Sequence, residues 1–152
     1  MTLAHLIFVA LMALFPRTPA RACLTARQTQ IEAQADDAMR ARNVPPGVLI
    51  AVGFMESHLG CDRASGGCWG APISPTRRHT AGSPDHAARA LETSFRRCGN
   101  WRGAISRFRC GLCRCPPRFD GYVNTTVGIV RRLYMRADQT VPDMLEPPPR
   151  RP

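Results

Sequence analysis

The sequence contains no lysine, so arginine alone supplies its basic side chains of high pKa. Twenty-one basic residues stand against eleven acidic ones, which gives a formal net charge of +10. A strongly basic protein is attracted to polyanions such as cell-wall polymers, anionic lipids and nucleic acid. No nucleic-acid-binding motif is present, so a nucleic-acid partner is not expected. The arginines are scattered rather than gathered on one helix face, which argues against a membrane-disrupting cationic protein.

Long apolar runs are also scarce. The run from Leu3 to Phe15 covers about thirteen residues, which is too short for a membrane span and typical of a signal peptide. Small residues at Ala20 and Ala22 fit a cleavage site, so we interpret residues 1–22 as a signal peptide; an uncleaved anchor is the alternative. No later segment is apolar for long enough to span a membrane. We therefore expect a protein secreted to the periplasm or the extracellular space.

Seven cysteines in 152 residues indicate disulfides made in an oxidising compartment. Cys23 follows the predicted cleavage site and is interpreted as standing apart, with a lipid anchor on it as the less favoured alternative. The other six form an even set of disulfide candidates: Cys61, Cys68, Cys98, Cys110, Cys113 and Cys115. Six cysteines allow fifteen pairings. One pattern joins Cys61 to Cys68. It also ties the helix end at Cys98 to the loop that carries Cys110, Cys113 and Cys115.

Cys110 and Cys113 also form a Cys-x-x-Cys motif, which can bind zinc or carry out redox chemistry. His79 and His86 are the histidines considered as further ligands. No second Cys-x-x-Cys is present, and several nearby cysteines in a secreted chain are better explained as disulfides. We therefore predict neither a metal nor a cofactor.

Helical periodicity dominates the rest of the chain, and no stretch alternates convincingly as a strand. Helices are predicted over residues 25–42, 48–60, 84–97, 101–109 and 119–136. Residues 61–82 form a loop rich in glycine, proline and cysteine, and residues 138–152 a disordered tail rich in proline and arginine. The prediction is one mostly helical domain, residues 23–137, with disulfide-tied loops.

Glu56 ends the apolar stretch "VLIAVGFMESHLG" and lies on the same helix face as Leu49, Val52 and Gly53. A carboxylate on a buried face is costly if it is ionised and unpaired. Burial favours the neutral acid, which can donate a proton to a leaving oxygen, as glycosidic bond cleavage requires. The alternative is a structural glutamate paired with one of the many arginines.

Four stretches resemble, in order, the motifs of the soluble lytic transglycosylase family. The stretch ending in Glu56–Ser57 resembles its catalytic helix. "SGGCWGAPIS" lies at the position of its "GLMQ" segment, and "GNWRGAISRFRCG" is similar to "GDWRLALAAYNAG". "DGYVNTTVGIVRRLY" is similar to its closing helix. The resemblance covers about residues 46–134.

The resemblance implies a lysozyme-like helical domain that cleaves peptidoglycan between N-acetylmuramic acid and N-acetylglucosamine. Glu56 would serve as acid and then as base, so that the sugar's own 6-hydroxyl closes a 1,6-anhydro ring. A second carboxylate is not required. The implied partner is the glycan strand, and the protein is expected to act as a monomer.

The sugar-binding groove departs from the family pattern. Gly70 stands at the glutamine position, and Phe108–Arg109 at the tyrosine–asparagine position. Tyr122 matches the later tyrosine, whose hydroxyl is expected to point toward Glu56. The residues assigned to substrate binding are Ser57, Trp69, Gly70, Phe108, Arg109 and Tyr122. The alternatives are a lysozyme-type hydrolase with the same acid, and a binding module that has lost turnover.

Overall fold

A computed structural model describes residues 1–62 and 83–142 of the chain. Within these ranges the backbone forms helices, turns and loops, and no strand. The α-helices are α1 (Leu3–Leu14), α2 (Arg21–Ala26), α3 (Gln28–Arg42), α4 (Pro46–Ser57), α5 (Pro84–Cys98), α6 (Trp101–Cys110) and α7 (Asp120–Arg136), with a 3₁₀ turn at Pro117–Phe119 before α7. The prediction of a mostly helical domain is confirmed.

The predicted helix boundaries of α5 and α6 follow from short-range signals. The Ser83 hydroxyl accepts a hydrogen bond from the third residue of α5, and Pro84 occupies the first position. The Asn100 side chain caps α6 in the same way. Gly99 and Gly111 have φ angles of +77° and +84° and end the two helices, as glycine does most readily.

The end of α4 differs from the prediction, which put the stop at Gly60. The helix ends at Ser57, because His58 and Leu59 already adopt left-handed conformations with φ angles of +48° and +57°. The Leu59 carbonyl, turned out of the helix, accepts a hydrogen bond of 2.9 Å from the guanidinium of Arg27. The turn after α4 is therefore held against the start of α3.

Helix α4 is the centre of the fold. Ten of its twelve residues are buried, and it packs against α1, α3, α5 and α7. The sequence pattern predicts one buried face, whereas nearly the whole circumference of α4 is covered. The apolar and small residues on every side of α4 explain this, since a helix that is apolar all round belongs in a core.

The segment interpreted as the core of a signal peptide forms α1 and packs on α3, α4 and α7. Ile7, Phe8 and Leu11 are at most 2% exposed. His5 Nδ1 lies 2.8 Å from a carboxylate oxygen of Glu32 on α3. Cleavage after residue 22 stays a prediction; in the full chain, α1 covers apolar surface of three other helices.

We expect a chain that begins at Cys23 to be less stable than the full chain. In the full chain, Leu11→Ala should lower the free energy of unfolding by about 2–5 kcal/mol, as for other buried leucines. Val9→Ala is the matched control, because Val9 is 49% exposed on the same helix. Thermal unfolding followed by circular dichroism measures both. Equal melting temperatures for the two variants would show that α1 is not packed as described.

Three disulfides tie the loops to the helices. They join Cys23 to Cys61, Cys98 to Cys113, and Cys110 to Cys115, with Cα–Cα distances of 5.9, 5.4 and 5.9 Å. The link from the end of α5 to the cysteine loop is confirmed. The prediction that Cys23 stands apart and that Cys61 joins Cys68 is wrong. Helix α2 lies beside the turn after α4, and this brings Cys23 to Cys61.

The three disulfides argue against two alternatives, a lipid anchor on Cys23 and zinc binding by the Cys-x-x-Cys motif. The Cys23 sulfur lies in a disulfide and is not available to a lipid. Cys110 and Cys113 belong to different disulfides, so their Cys-x-x-Cys motif offers no thiolates to zinc. Of the histidines considered as ligands, His86 donates its backbone N–H to the Ser83 cap, and His79 lies outside the described residues.

Six of the seven cysteines take part in these bonds, so we expect one reactive thiol per oxidised chain, at Cys68. Cys68 itself lies outside the described residues. Alkylation before reduction, followed by peptide mapping, should label Cys68 and recover the other six as disulfide-linked peptides. Label on Cys23 or Cys61 would contradict the Cys23–Cys61 bond.

Candidate active site

Glu56 lies in the last turn of α4, with its side chain only 6% exposed. One carboxylate oxygen, Oε1, accepts a hydrogen bond of 2.6 Å from the hydroxyl of Tyr122. The other, Oε2, lies 3.6 Å from Nη1 of Arg109. These three residues are called the Glu56 cluster below.

The two partners of Glu56 come from the ends of neighbouring helices. Arg109 is in the last turn of α6, and Tyr122 is in the first turn of α7. The Cys110–Cys115 disulfide closes the loop between these helices. The guanidinium carbon of Arg109 lies 4.9 Å from the centre of the Tyr122 ring, a distance typical of a cation–π contact.

Tyr122 is fixed as a hydrogen-bond donor. Its pKa is raised well above the ordinary value for tyrosine, first by burial and then by the charge and hydrogen bond of Glu56. Arginine remains charged at any relevant pH. The Glu56 carboxyl therefore accepts one hydrogen bond, from Tyr122, and forms one ion pair, with Arg109.

Ser57 does not join the cluster. Its hydroxyl donates to the carbonyl of Gly53 at 3.4 Å and accepts the backbone N–H of Gly60 at 2.9 Å. The side chain is buried and fastens the turn after α4. The sequence assigned Ser57 to substrate binding, and its observed contacts support a structural role. His58, the next residue, is partly exposed and contacts Asp62 at 2.6 Å.

Three other residues assigned to substrate binding from the sequence are Phe108, Trp69 and Gly70. Phe108 is half-buried and packs against the core beside Arg109. Trp69 and Gly70 lie outside the described residues, so the structure neither brings them to Glu56 nor separates them from it.

No second carboxylate takes part in the cluster among the described residues. Asp85 lies in the first turn of α5 and forms ion pairs with Arg42 and Arg89 at 3.2 and 3.1 Å. In residues 1–62 and 83–142, no group of three or more potential ligands could hold a metal ion. What the cluster offers chemically is one buried carboxyl group with a hydroxyl donor on one oxygen and a guanidinium near the other.

Two contacts at this site are not predicted from the sequence. The sequence allows an arginine partner for Glu56, but it does not indicate that Arg109 is that partner. Thr126 was not singled out; its side chain is buried, and its hydroxyl donates to the carbonyl of Tyr122 at 2.7 Å. Tyr122 and Thr126 lie one helical turn apart, and this spacing could have indicated the contact between Thr126 and Tyr122.

Comparison of the chain with protein-family models, with curated proteins and with solved structures finds no match. Within the described parts of the chain, no helix is long and apolar enough to cross a membrane.

Proposed function

We propose that the protein is a secreted, peptidoglycan-cleaving enzyme of the lytic transglycosylase type. The observation that carries this proposal is the buried carboxyl of Glu56 with the Tyr122 hydroxyl 2.6 Å from it. A lytic transglycosylase needs one such carboxyl in a fixed orientation and no second one. The ordered resemblance of four sequence stretches to that family supports the same reading, including a lysozyme-like arrangement of the helices.

In the proposed reaction, Glu56 acts twice on the bond between N-acetylmuramic acid and N-acetylglucosamine. As an acid it gives its proton to the bridging oxygen while that oxygen leaves the anomeric carbon. As a carboxylate it then takes the proton of the muramic acid's 6-hydroxyl, whose oxygen bonds to the anomeric carbon. Proton and bond changes balance without water, and the product carries a 1,6-anhydro ring. Tyr122 keeps the carboxyl in one orientation through both steps.

The disulfides and the net charge of the chain are consistent with an enzyme that acts on a cell wall. Three disulfides accord with an oxidising compartment, outside the cytoplasm. The net charge of +10 favours approach to an anionic wall. We propose that the protein is located in the periplasm or outside the cell, that it acts there as a monomer, and that it needs no cofactor.

A second candidate function is binding of peptidoglycan without turnover. The ion pair of Glu56 with Arg109 favours it, because the guanidinium lies against the carboxyl and suits its ionised form. An enzyme must separate this pair before Glu56 can act as an acid, whereas a binding module need not.

Digestion of purified peptidoglycan by the oxidised protein tests the proposal. Mass spectrometry of the released fragments should find muropeptides lighter by one water than the hydrolysed forms, which identifies anhydro ends. Ordinary reducing ends would assign a lysozyme-type hydrolase instead. Co-sedimentation with the wall and no released fragments would assign the binding module.

A further inference from the structure

We propose that Arg109 recognises a carboxylate on the peptide of the glycan strand and leaves Glu56 when it does so. Arg109 would then determine specificity for anionic, peptide-bearing strands and would couple their binding to the release of the catalytic acid. This inference rests on the proposed function and names the substrate group that its site would read.

Arg109 is the exposed member of the cluster. Its side chain is 39% exposed, against 6% for Glu56. The guanidinium carries five N–H donors in a planar fork. In the described parts of the chain, its one ion pair is the contact of Nη1 with Glu56. Part of the Arg109 side chain is therefore open to solvent, directly beside the buried carboxyl.

The contact between Arg109 and Glu56 is open to competition. At 3.6 Å it is longer than the 2.7–2.9 Å of a charge-assisted hydrogen bond, and it joins one nitrogen to one oxygen. A carboxylate arriving from solvent can engage the fork at two points with shorter bonds. The peptides of peptidoglycan carry free carboxylates, whereas its sugar backbone without peptides offers hydroxyls and amides.

The Tyr122 ring gives the guanidinium a contact that does not depend on the Glu56 carboxyl. The guanidinium carbon lies 4.9 Å from the ring centre, so Arg109 has a cation–π partner while it exchanges Glu56 for an incoming carboxylate. Glu56 then keeps the Tyr122 hydrogen bond at Oε1 and loses its ion pair at Oε2.

Among the described residues, Arg109 is the one cation that contacts the Glu56 carboxyl. The groups that contact this carboxyl are Arg109 from α6 and Tyr122 from α7. Among the described residues, α1, α3 and α5 contribute no ion pair or hydrogen bond to it. When Arg109 leaves, the Tyr122 hydroxyl is therefore the one contact that the described residues still make with the carboxyl.

Calorimetric binding to two probes tests this assignment. The probes are a disaccharide of N-acetylglucosamine and N-acetylmuramic acid bearing a dipeptide, with its carboxylates either free or converted to amides. We expect the free-acid probe to bind the native protein about tenfold more tightly, as for one charge-assisted contact. Arg109→Gln should abolish this preference, and Arg109→Lys should keep part of it.

Two further variants sharpen the test. Arg114→Gln, on the exposed cysteine loop, makes the same change of net charge and should leave the preference intact. Glu56→Gln should bind the free-acid probe more tightly than the native protein, because no ion pair then competes for Arg109. Circular dichroism confirms that each variant is folded.

An equal preference in Arg109→Gln and the native protein would overturn the inference, as would equal binding of both probes by the native protein. These outcomes are independent of turnover. If peptidoglycan is not cut but Arg109 still selects the free acid, the assignment of Arg109 as the carboxylate-recognising residue holds and the proposed catalysis fails. If cutting occurs without selection by charge, catalysis holds and the inference fails.

Discussion

Glu56→Gln is expected to lower the rate of peptidoglycan cleavage by about a hundredfold or more, the contribution typical of general acid–base catalysis. The amide has nearly the same shape and can still accept the hydrogen bond of Tyr122, so the helices should pack as before. It can neither give a proton to the leaving oxygen nor take one from the 6-hydroxyl. Release of muropeptides, measured by chromatography over time, gives the rate.

Glu92→Gln is the matched control. Glu92 is a largely buried glutamate on α5, 17% exposed, and pairs with Arg42 and Arg96 at 3.6 Å. The same chemical change there should leave cleavage within a factor of about two, since Glu92 pairs with Arg42 and Arg96 and with no member of the Glu56 cluster. A comparable loss in both variants would mean that stability, not chemistry, explains the effect. Full activity in Glu56→Gln would remove Glu56 from the mechanism.

Short-range signals account for the parts of the fold that the sequence predicted well. The caps at Ser83 and Asn100 and the glycines at 99 and 111 lie within one turn of the boundaries they set. Each is decided by bonds between residues three or four apart, which a linear reading captures. The end of α4 differs from the prediction because the left-handed turn at His58 and Leu59 is held by a distant residue, Arg27 at the junction of α2 and α3, which binds the Leu59 carbonyl.

Contacts between residues far apart in the sequence could not be predicted from short-range signals. Cys23 joins Cys61 across 38 residues, because α2 packs beside the turn after α4. Residue patterns on neither segment encode that approach. Tyr122 meets Glu56 across 66 residues, and only the family resemblance suggested the contact. The pairing with Arg109 departs from the family pattern, so neither periodicity nor resemblance could indicate it.

Gly47→Ala is expected to destabilise the fold by about 1–3 kcal/mol, the usual effect of overpacking a core. A Cβ at this position would lie 2.2 Å from Cε2 of Tyr134. The ring cannot easily move, because Tyr134 is 2% exposed and its hydroxyl accepts the N–H of Gly47 at 3.2 Å. Burial also raises the pKa of Tyr134 to about 12, so the ring stays neutral in the core at neutral pH.

Gly128→Ala on α7 is the control, since a Cβ there meets no atom within 4 Å. That change should be neutral or stabilise the helix by up to about 1 kcal/mol. Thermal unfolding should therefore move the two variants in opposite directions or move Gly47→Ala alone, by about 5–15 °C. Equal melting temperatures would contradict the close packing of α4 on α7.

The same substitution also tests how the fold supports the site. Gly47 and Tyr134 join the start of α4 to the end of α7, while Glu56 and Tyr122 join the opposite ends of the same two helices. A Cβ that forces the helices apart at one end should lengthen the 2.6 Å contact at the other. We therefore expect Gly47→Ala to lower cleavage even at temperatures where the variant is fully folded. Unchanged cleavage in the folded variant would mean that the Glu56–Tyr122 contact is set locally, by the disulfide-tied loop before α7.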